Sequence, residues 1–170
     1  MLFIRKELQS DILAIRKVNE SAFKGAAEAR LVDLLREANK AIISLVAIFD
    51  NKVVGHILFS QITIKPNPKN TRGLGLAPLA VLPEYQRRGI GSSLVTNGLK
   101  ECQEKRYDVV VVLGDVPFYT RFGFKRASLY GLRNEYNVDE NFMILELKKG
   151  ALDSISGLVK YQPEFKEAEV

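Results

Sequence analysis

Residues 79–95 read LAVLPEYQRRGIGSSLV, and this stretch decides how the rest of the chain is interpreted. An apolar strand ends at Pro83, and a polar turn leads from it into a predicted helix. Two arginines and two glycines stand at the helix entry, namely Arg87, Arg88, Gly89 and Gly91. The first N–H groups of a helix lack intrahelical partners and carry partial positive charge, and glycine lets a bulky anion approach the backbone. The stretch therefore predicts an anion site that the guanidinium groups reinforce.

Two other phosphate-binding patterns do not fit these glycines. A P-loop ends in Gly-Lys followed by Ser or Thr, whereas no lysine follows Gly91. The dinucleotide fingerprint has a third glycine, and Leu94 occupies that position. What remains is the spacing Gln-x-x-Gly-x-Gly from Gln86 to Gly91, entered from an apolar strand. We favour an anion site over a plain strand–turn–helix with solvated arginines because of this spacing.

The segments around this stretch alternate between strand and helix patterns and predict one domain with a mixed α/β sheet. Predicted strands cover residues 2–7, 44–49, 52–64, 73–81, 108–113 and 142–147, and the pair Asp50-Asn51 makes a hairpin turn. Predicted helices cover residues 12–21, 27–38, 89–105 and 117–122. Residues 1–150 form the domain. Residues 151–170 are an extension that packs on it or trails from it, with a loosely ordered polar tail from residue 161.

Length and composition fit a globular protein of one domain, with 170 residues, 46% of them hydrophobic and 26% charged. A net charge of +5 can attract nucleic acid, but the basic residues are scattered and interleaved with acids. We therefore do not expect specific nucleic-acid binding. No apolar run approaches the ~18 residues of a membrane span, and the N-terminus lacks a signal-peptide pattern. These features predict a cytoplasmic protein without a membrane segment.

The chain has one cysteine, Cys102, and one histidine, His56. No internal disulfide can form, which agrees with a reducing compartment. One cysteine and one histidine cannot make a Cys/His zinc site, and no clustered carboxylate motif predicts another metal site. Cys102 falls inside a predicted helix, so we interpret it as a buried thiol rather than a nucleophile.

The glycine-containing loop resembles the pyrophosphate loop of the GNAT superfamily of N-acetyltransferases. The family pattern Q/R-x-x-G-x-G/A is matched from Gln86 to Gly91. A second segment, FYTRFGF at residues 118–124, looks like the family's Tyr-x-x-x-Gly-Phe element, and the order of elements fits from residue 4 to about residue 147. The resemblance implies a GNAT-like acyl-CoA N-acyltransferase fold, with a central, mostly antiparallel sheet flanked by helices. It also implies acetyl-CoA as co-substrate and no metal.

The resemblance implies a role for each matching position. The backbone of Leu79 and Val81, with Ala80 between them, would pair with the pantetheine arm like an added strand, beside a neighbouring strand that splays away. The loop residues implied to bind the cofactor are Gln86, Arg87, Arg88, Gly89, Ile90, Gly91 and Ser92. Backbone N–H groups of this loop would hold the pyrophosphate, and both arginines would add charge. Tyr119 would lie near the sulfur and protonate the leaving thiolate.

The general base is less clearly marked than the general acid. The family often uses a carboxylate on the fourth strand, and residues 74–82 contain none. His56 lies on a predicted strand and could face the substrate cleft, although a lone strand histidine is more often structural. The alternative is that the enzyme uses amine that is already deprotonated. The polar segment 133–141 could form a wall of the cleft, where Glu135, Asp139 and Glu140 either attract a cationic amine or are solvated.

The resemblance implies transfer of an acetyl group from acetyl-CoA to a primary amine by direct attack. The acceptor would be a small-molecule amine or an amine on a peptide or protein, and homodimers are frequent in such families. Two alternatives remain open. One is a catalytically silent acyl-CoA-binding sensor or interaction module, and the other is an acyltransferase acting on an aminoacyl group attached to RNA.

Overall fold

Ten strands and five helices make up the regular structure of a computed structural model that describes residues 1–170. The strands are β1 (Leu2–Lys6), β2 (Ile43–Phe49), β3 (Lys52–Gln61), β4 (Thr63–Lys65), β5 (Gly73–Val81), β6 (Val109–Leu113), β7 (Lys125–Arg126), β8 (Leu132–Asn134), β9 (Phe142–Glu146) and β10 (Gly157–Lys160). The helices are α1 (Ile12–Phe23), α2 (Ala27–Glu37), α3 (Ile90–Glu104), α4 (Val116–Thr120) and α5 (Glu164–Glu167). This is the mixed α/β architecture that the sequence predicts.

The chain divides into two compact units. The first unit comprises Met1–Ser60, Ala77–Glu101 and Pro163–Val170, and the second comprises Gln61–Leu76 and Cys102–Gln162. Strands β3 and β5 and helix α3 each begin in one unit and end in the other.

The first unit is built on an antiparallel meander of β1, β2 and β3. Leu2 of β1 lies opposite Phe49 of β2, and Val46 of β2 lies opposite His56 of β3. Asp50 and Asn51 both adopt left-handed backbone conformations, with φ of 48° and 64°. A two-residue turn with both central residues in this conformation matches the twist of the two strands, so the predicted Asp50-Asn51 hairpin is confirmed.

Helices cover both faces of β3 in this unit, because successive side chains of a strand point to opposite faces. On one face, Leu94 of α3 packs at Gly55 and the Phe59 ring packs at Gly98 of α3. On the other face, His56 contacts Asn19 of α1. Burial of the strand on both faces explains why residues 54–60 are all buried.

The second unit contains strands of both pairing types. β6 pairs in parallel with the start of β5 and antiparallel with β9, and β9 pairs antiparallel with β7. A smaller three-stranded sheet has the order β4–β10–β8. β6 lies between β5 and β9. Its run of four valines is buried, as expected for a strand that is covered on both faces.

The ladder between β5 and β6 is short. It pairs Gly73, Leu74 and Gly75 with Val109, Val110 and Val111, although both strands continue beyond these residues. The pairing stops after Gly75 and before Pro78, which has no N–H to donate to a ladder.

Several short elements differ from the predicted ones. The predicted strand 52–64 is two strands, because the chain leaves β3 after Gln61 and Thr63–Lys65 pairs with β10 instead. β7, β8, β10 and α5 were not predicted, since each has only two to four residues. An amphipathic period cannot be recognised over so short a length.

The C-terminal tail is ordered, and the prediction of a loosely ordered segment from residue 161 is wrong. Tyr161, Phe165 and Ala168 are buried, and the Lys40 ammonium contacts the carboxylate of Glu164 in α5 at 2.9 Å. Burial of the aromatic rings of Tyr161 and Phe165 stabilises the folded tail, and this effect outweighs the polar composition of the surrounding segment. Residues of the tail are thus buried and take part in an ion pair.

Candidate functional site

The end of β5 presents alternate residues toward solvent in the first unit. Ala77, Leu79 and Val81 are half-buried, whereas Pro78 and Ala80 are buried. After the strand, the Leu82 N–H donates to the Val54 carbonyl at 2.9 Å, which anchors the turn on β3.

A side-chain hydrogen bond ties the following loop back to the strand. Pro83–Tyr85 forms a single 3₁₀ turn, and Gln86 follows it in extended conformation. The Gln86 Nε2 group donates to the Val81 carbonyl at 3.0 Å. This bond fixes where the chain enters α3, so Gln86 has a structural contact in addition to its predicted place in the cofactor loop.

The loop reaches α3 through two left-handed residues, Arg87 with φ of 62° and Gly89 with φ of 81°. A side chain at Gly89 would be strained by this backbone conformation, although a Cβ there would meet no atom within 4 Å. The backbone of Gly89 is thus open to an approaching ligand, and the residue is exposed.

Helix α3 begins at Ile90 immediately after this glycine. The Ser93 N–H makes a helical hydrogen bond, to the Gly89 carbonyl at 3.0 Å. The first N–H groups of any helix point out of its N-terminal end, which here lies next to Gly89. Gly91 and Ser92 are half-buried, and the side chain of Ile90 is buried and anchors the turn. Together these residues form a positively polarised helix start beside an open glycine.

Cationic side chains near this helix start rest on an aromatic ring. The Arg88 guanidinium lies 5.3 Å from the centroid of the Tyr85 ring, and the Lys52 ammonium lies 5.6 Å from it. The Phe49 ring supports Tyr85 from a centroid distance of 5.7 Å. None of the ion pairs in the structure involves Arg87, Arg88 or Lys52, so their charge is available to an anion. The loop and its surroundings therefore fit a ligand with several phosphate charges.

Tyr119, the residue predicted as general acid, lies in the second unit on α4. Asp115 caps this short helix by accepting a hydrogen bond from the Phe118 N–H at 3.3 Å. The Tyr119 ring packs edge-on against Phe118 and Phe124. It also covers Gly114 so closely that a Cβ there would lie 2.5 Å from the ring. The ring position is therefore fixed by packing.

Burial raises the pKa of the Tyr119 phenol, and the negative charge of Asp115 raises this pKa further. Both effects disfavour the phenolate. The phenol stays protonated at neutral pH, which is the state that a proton donor needs.

His56 is completely buried and does not line a surface of the protein. Its Nδ1 atom lies 3.2 Å from the Asn19 amide nitrogen, which also donates to the Ile15 carbonyl, and its Nε2 atom lies 2.8 Å from the Ser44 hydroxyl. Because the Asn19 nitrogen is a donor, Nδ1 accepts and Nε2 carries the proton. The ring is a hydrogen-bonded core residue, which favours the structural interpretation over the general base that the sequence left open.

Glu7 completes this buried network. Its carboxylate accepts a hydrogen bond from the Ser44 hydroxyl and two from Arg36, at 2.8 and 3.0 Å. Desolvation lowers the pKa of His56 to about 4, against the opposing influence of the Glu7 charge, and Arg36 adds to the lowering. His56 is therefore neutral at physiological pH.

The remaining observations concern the single cysteine, groups of metal-binding side chains and membrane-spanning helices. Cys102 is buried, as predicted. No group of three or more His, Cys, Asp or Glu side chains is arranged to hold a metal ion. None of the five helices combines the length and apolar character needed to cross a bilayer.

The comparison with known proteins identifies the same family that the glycine-containing loop resembles. Residues 12–124 match the family model of the acetyltransferase (GNAT) family. The chain is 36% identical over 166 residues to the uncharacterized N-acetyltransferase YhbS of Escherichia coli strain K12, covering 96% of this chain and 98% of that protein.

Two solved structures are similar over nearly the whole chain. Escherichia coli YhbS in complex with CoA superposes with a TM-score of 0.91 at 35% identity, covering 97% of this chain and 92% of that one. A GNAT family acetyltransferase from Brucella melitensis in complex with acetyl-CoA has a TM-score of 0.80 at 36% identity, with coverage of 97% and 98%. By fold, loop and sequence, this chain belongs to the acetyltransferase (GNAT) family.

Proposed function

We propose that this protein is an acetyl-CoA-dependent N-acetyltransferase that moves an acetyl group to a primary amine by direct attack of the nitrogen. The observation that carries the proposal is the open, left-handed Gly89 at the start of α3. Two relatives support the proposal. Their structures, from proteins 35% and 36% identical to this chain, are complexes with CoA and with acetyl-CoA, respectively.

The residues proposed to hold acetyl-CoA form two groups. Backbone groups of Leu79, Ala80 and Val81 pair with the pantetheine arm, since the end of β5 presents alternate half-buried residues. The N–H groups of Arg88, Gly89, Gly91 and Ser92 bind the pyrophosphate, and the charges of Arg87 and Arg88 add to the attraction. When bound, acetyl-CoA supplies an acetyl thioester whose carbonyl carbon accepts the attacking nitrogen.

Tyr119 is proposed as the general acid. Its raised pKa keeps the phenol protonated, and its packing fixes the ring. The C–S bond breaks as the C–N bond forms, and the sulfur takes a proton from the phenol. The proton that leaves the new amide nitrogen then returns to Tyr119. No covalent intermediate on the protein is required, so a buried Cys102 is compatible with the reaction.

A cytoplasmic location and a homodimeric state belong to the same proposal. The single, buried cysteine agrees with a reducing compartment. Cell fractionation and light scattering of the purified protein test these two points directly.

The proposed activity is tested by incubating the protein with acetyl-CoA and a panel of primary amines, comprising alkylamines, peptides with a free N-terminus and lysine-containing peptides. We expect equal amounts of free CoA thiol and N-acetylated amine, detected by thiol titration and mass spectrometry. Binding of acetyl-CoA without consumption by any amine would identify a sensor instead. Consumption only with an aminoacyl-RNA would overturn the proposed acceptor class.

A further inference from the structure

The hairpin between β2 and β3 brings a lysine to the cofactor loop. Lys52 is the first residue of β3 and lies opposite Phe49, the last residue of β2. Two residues further along β3, the Val54 carbonyl accepts the hydrogen bond from the Leu82 N–H at 2.9 Å. The end of the hairpin and the chain that follows β5 are therefore neighbours within the first unit, although they are distant in sequence.

The ring of Tyr85 holds this lysine near the start of α3. The Lys52 ammonium lies 5.6 Å from the ring centroid, and the Arg88 guanidinium lies 5.3 Å from it. Phe49 packs against the same ring at a centroid distance of 5.7 Å. A cation within about 6 Å of an aromatic ring is attracted by the negative face of that ring. One ring thus gathers two positive charges from separate parts of the chain, and we call Lys52, Tyr85 and Arg88 the Tyr85 platform.

The acidic side chains that are closest in sequence do not pair with Lys52. The Asp50 carboxylate contacts the N-terminal ammonium group of Met1 at 3.0 Å. Glu84 is exposed and takes part in none of the ion pairs. Lys52 is itself exposed. An anion from solution can therefore reach its ammonium group.

The proposed cofactor carries one phosphate more than the start of α3 is proposed to hold. Two of the three phosphates of CoA form the pyrophosphate, which the N–H groups of the helix start are proposed to bind. The third is a monoester on the 3′ oxygen of the adenosine ribose. A phosphate monoester carries nearly two negative charges at neutral pH. This 3′-phosphate needs a cationic partner outside the pyrophosphate site.

We propose that Lys52 binds the 3′-phosphate of CoA, with the Tyr85 ring holding the ammonium group in place and Arg88 adding to the attraction. An ammonium group donates charge-assisted hydrogen bonds to phosphate oxygens. The Tyr85 platform thereby makes the protein select an acyl-CoA over an acyl donor that lacks the 3′-phosphate. This inference rests on the proposed acetyl-CoA-dependent function.

The test is calorimetric titration of CoA and of dephospho-CoA, which lacks only the 3′-phosphate. The ionic strength is kept constant, because salt screens exposed charges. The unchanged protein is compared with Lys52→Gln and with Lys17→Gln. Lys17 is an exposed residue of α1 in the same unit, so K17Q removes the same charge away from the platform.

We expect the unchanged protein to bind CoA about tenfold more tightly than dephospho-CoA. K52Q should reduce this preference to about twofold by weakening CoA binding, with the Kd for dephospho-CoA kept within about twofold. K17Q should keep the preference of the unchanged protein. Lys52→Arg retains the charge and should keep a preference of at least about fivefold, because a guanidinium group also binds phosphate and rests on aromatic rings.

Three results would overturn the proposal while leaving CoA binding and the acetyltransferase function intact. The first is equal affinity of the unchanged protein for the two ligands. The second is a K52Q variant with the full preference for CoA. The third is a K52Q variant that binds both ligands equally weakly, as expected if the platform held the adenine base instead. If the folded, unchanged protein binds neither ligand, the proposed function itself fails, and this inference fails with it.

Discussion

Tyr119 shows how much a single residue of the site depends on its surroundings. Sequence spacing identifies it among six tyrosines, because the residues from Phe118 to Phe124 match a family element. The packing that makes it suitable comes from Gly114, Phe118 and Phe124, and a pattern cannot reveal these contacts. Tyr161 illustrates the converse. It lies in a tail that the sequence predicted to be loosely ordered, but it is buried and its ring packs at Gly75.

Replacing Tyr119 with phenylalanine removes the proton donor and keeps the ring contacts. We expect turnover to fall by about a hundredfold, in the range found for loss of a general acid, while the Kd for acetyl-CoA stays within about twofold. Steady-state kinetics and calorimetry measure the two quantities. Tyr107→Phe is a matched control, since Tyr107 is a buried tyrosine whose hydroxyl accepts from Gln61. Turnover in Y119F equal to that of Y107F would remove Tyr119 from the mechanism.

At the scale of secondary-structure elements, the sequence predicted the longer strands and helices, because these extend over enough residues to show a recognisable pattern. The bounds of β5 agree at both ends with the predicted strand 73–81, because an apolar run is closed by polar Arg72 and by Pro83. α3 was predicted to within one residue at each end, from the polar turn and the glycines at the helix entry. β7 consists of two exposed residues, and β8 and β10 pair segments that are distant in sequence. Such short strands form because another strand of the same chain is available for pairing, and a local sequence pattern does not identify that strand.

The strand β10 tests whether residues 151–170 belong to the domain. Val159 is fully buried between β4 and β8, whereas its neighbour Lys160 is exposed. We expect Val159→Ala to lower the free energy of unfolding by about 2 kcal/mol through lost burial and a residual cavity. Lys160→Ala should change it by less than about 0.5 kcal/mol. Urea denaturation measures both values, and equal stabilities of the two variants would mean that the extension contributes nothing to the fold.

At the scale of the whole molecule, a buried polar network contributes to stability in a pH-dependent manner. His56 is neutral in the folded protein because its pKa is lowered from 6.5 to about 4, whereas the unfolded chain binds a proton near pH 6.5. Between these values the unfolded state binds more protons, so the free energy of unfolding must fall as the pH falls. The gap of about 2.5 pH units corresponds to about 3 kcal/mol in total.

The prediction is a loss of stability on acidification from pH 7 to pH 5, before most carboxylates titrate. Urea denaturation at half-unit pH steps measures it. His56→Gln removes the titrating group, so its stability should be lower at pH 7 but should depend much less on pH in this range. A variant that keeps the full slope would show that another group causes the pH dependence. Glu7, whose hydrogen bonds to Arg36 and Ser44 lower its pKa against desolvation, loses its contribution only at lower pH.

The central claim is that the loop before α3 binds acetyl-CoA, and calorimetric titration of acetyl-CoA tests it most directly. The unchanged protein should bind, and a variant with Gly89 and Gly91 both changed to valine should lose at least about tenfold in affinity, because side chains would fill the space over the backbone N–H groups. Gly150→Val is the matched control, since Gly150 is also left-handed, with φ of 88°, but lies outside the loop. It should bind normally. Absence of acetyl-CoA binding by the folded, unchanged protein would contradict the account.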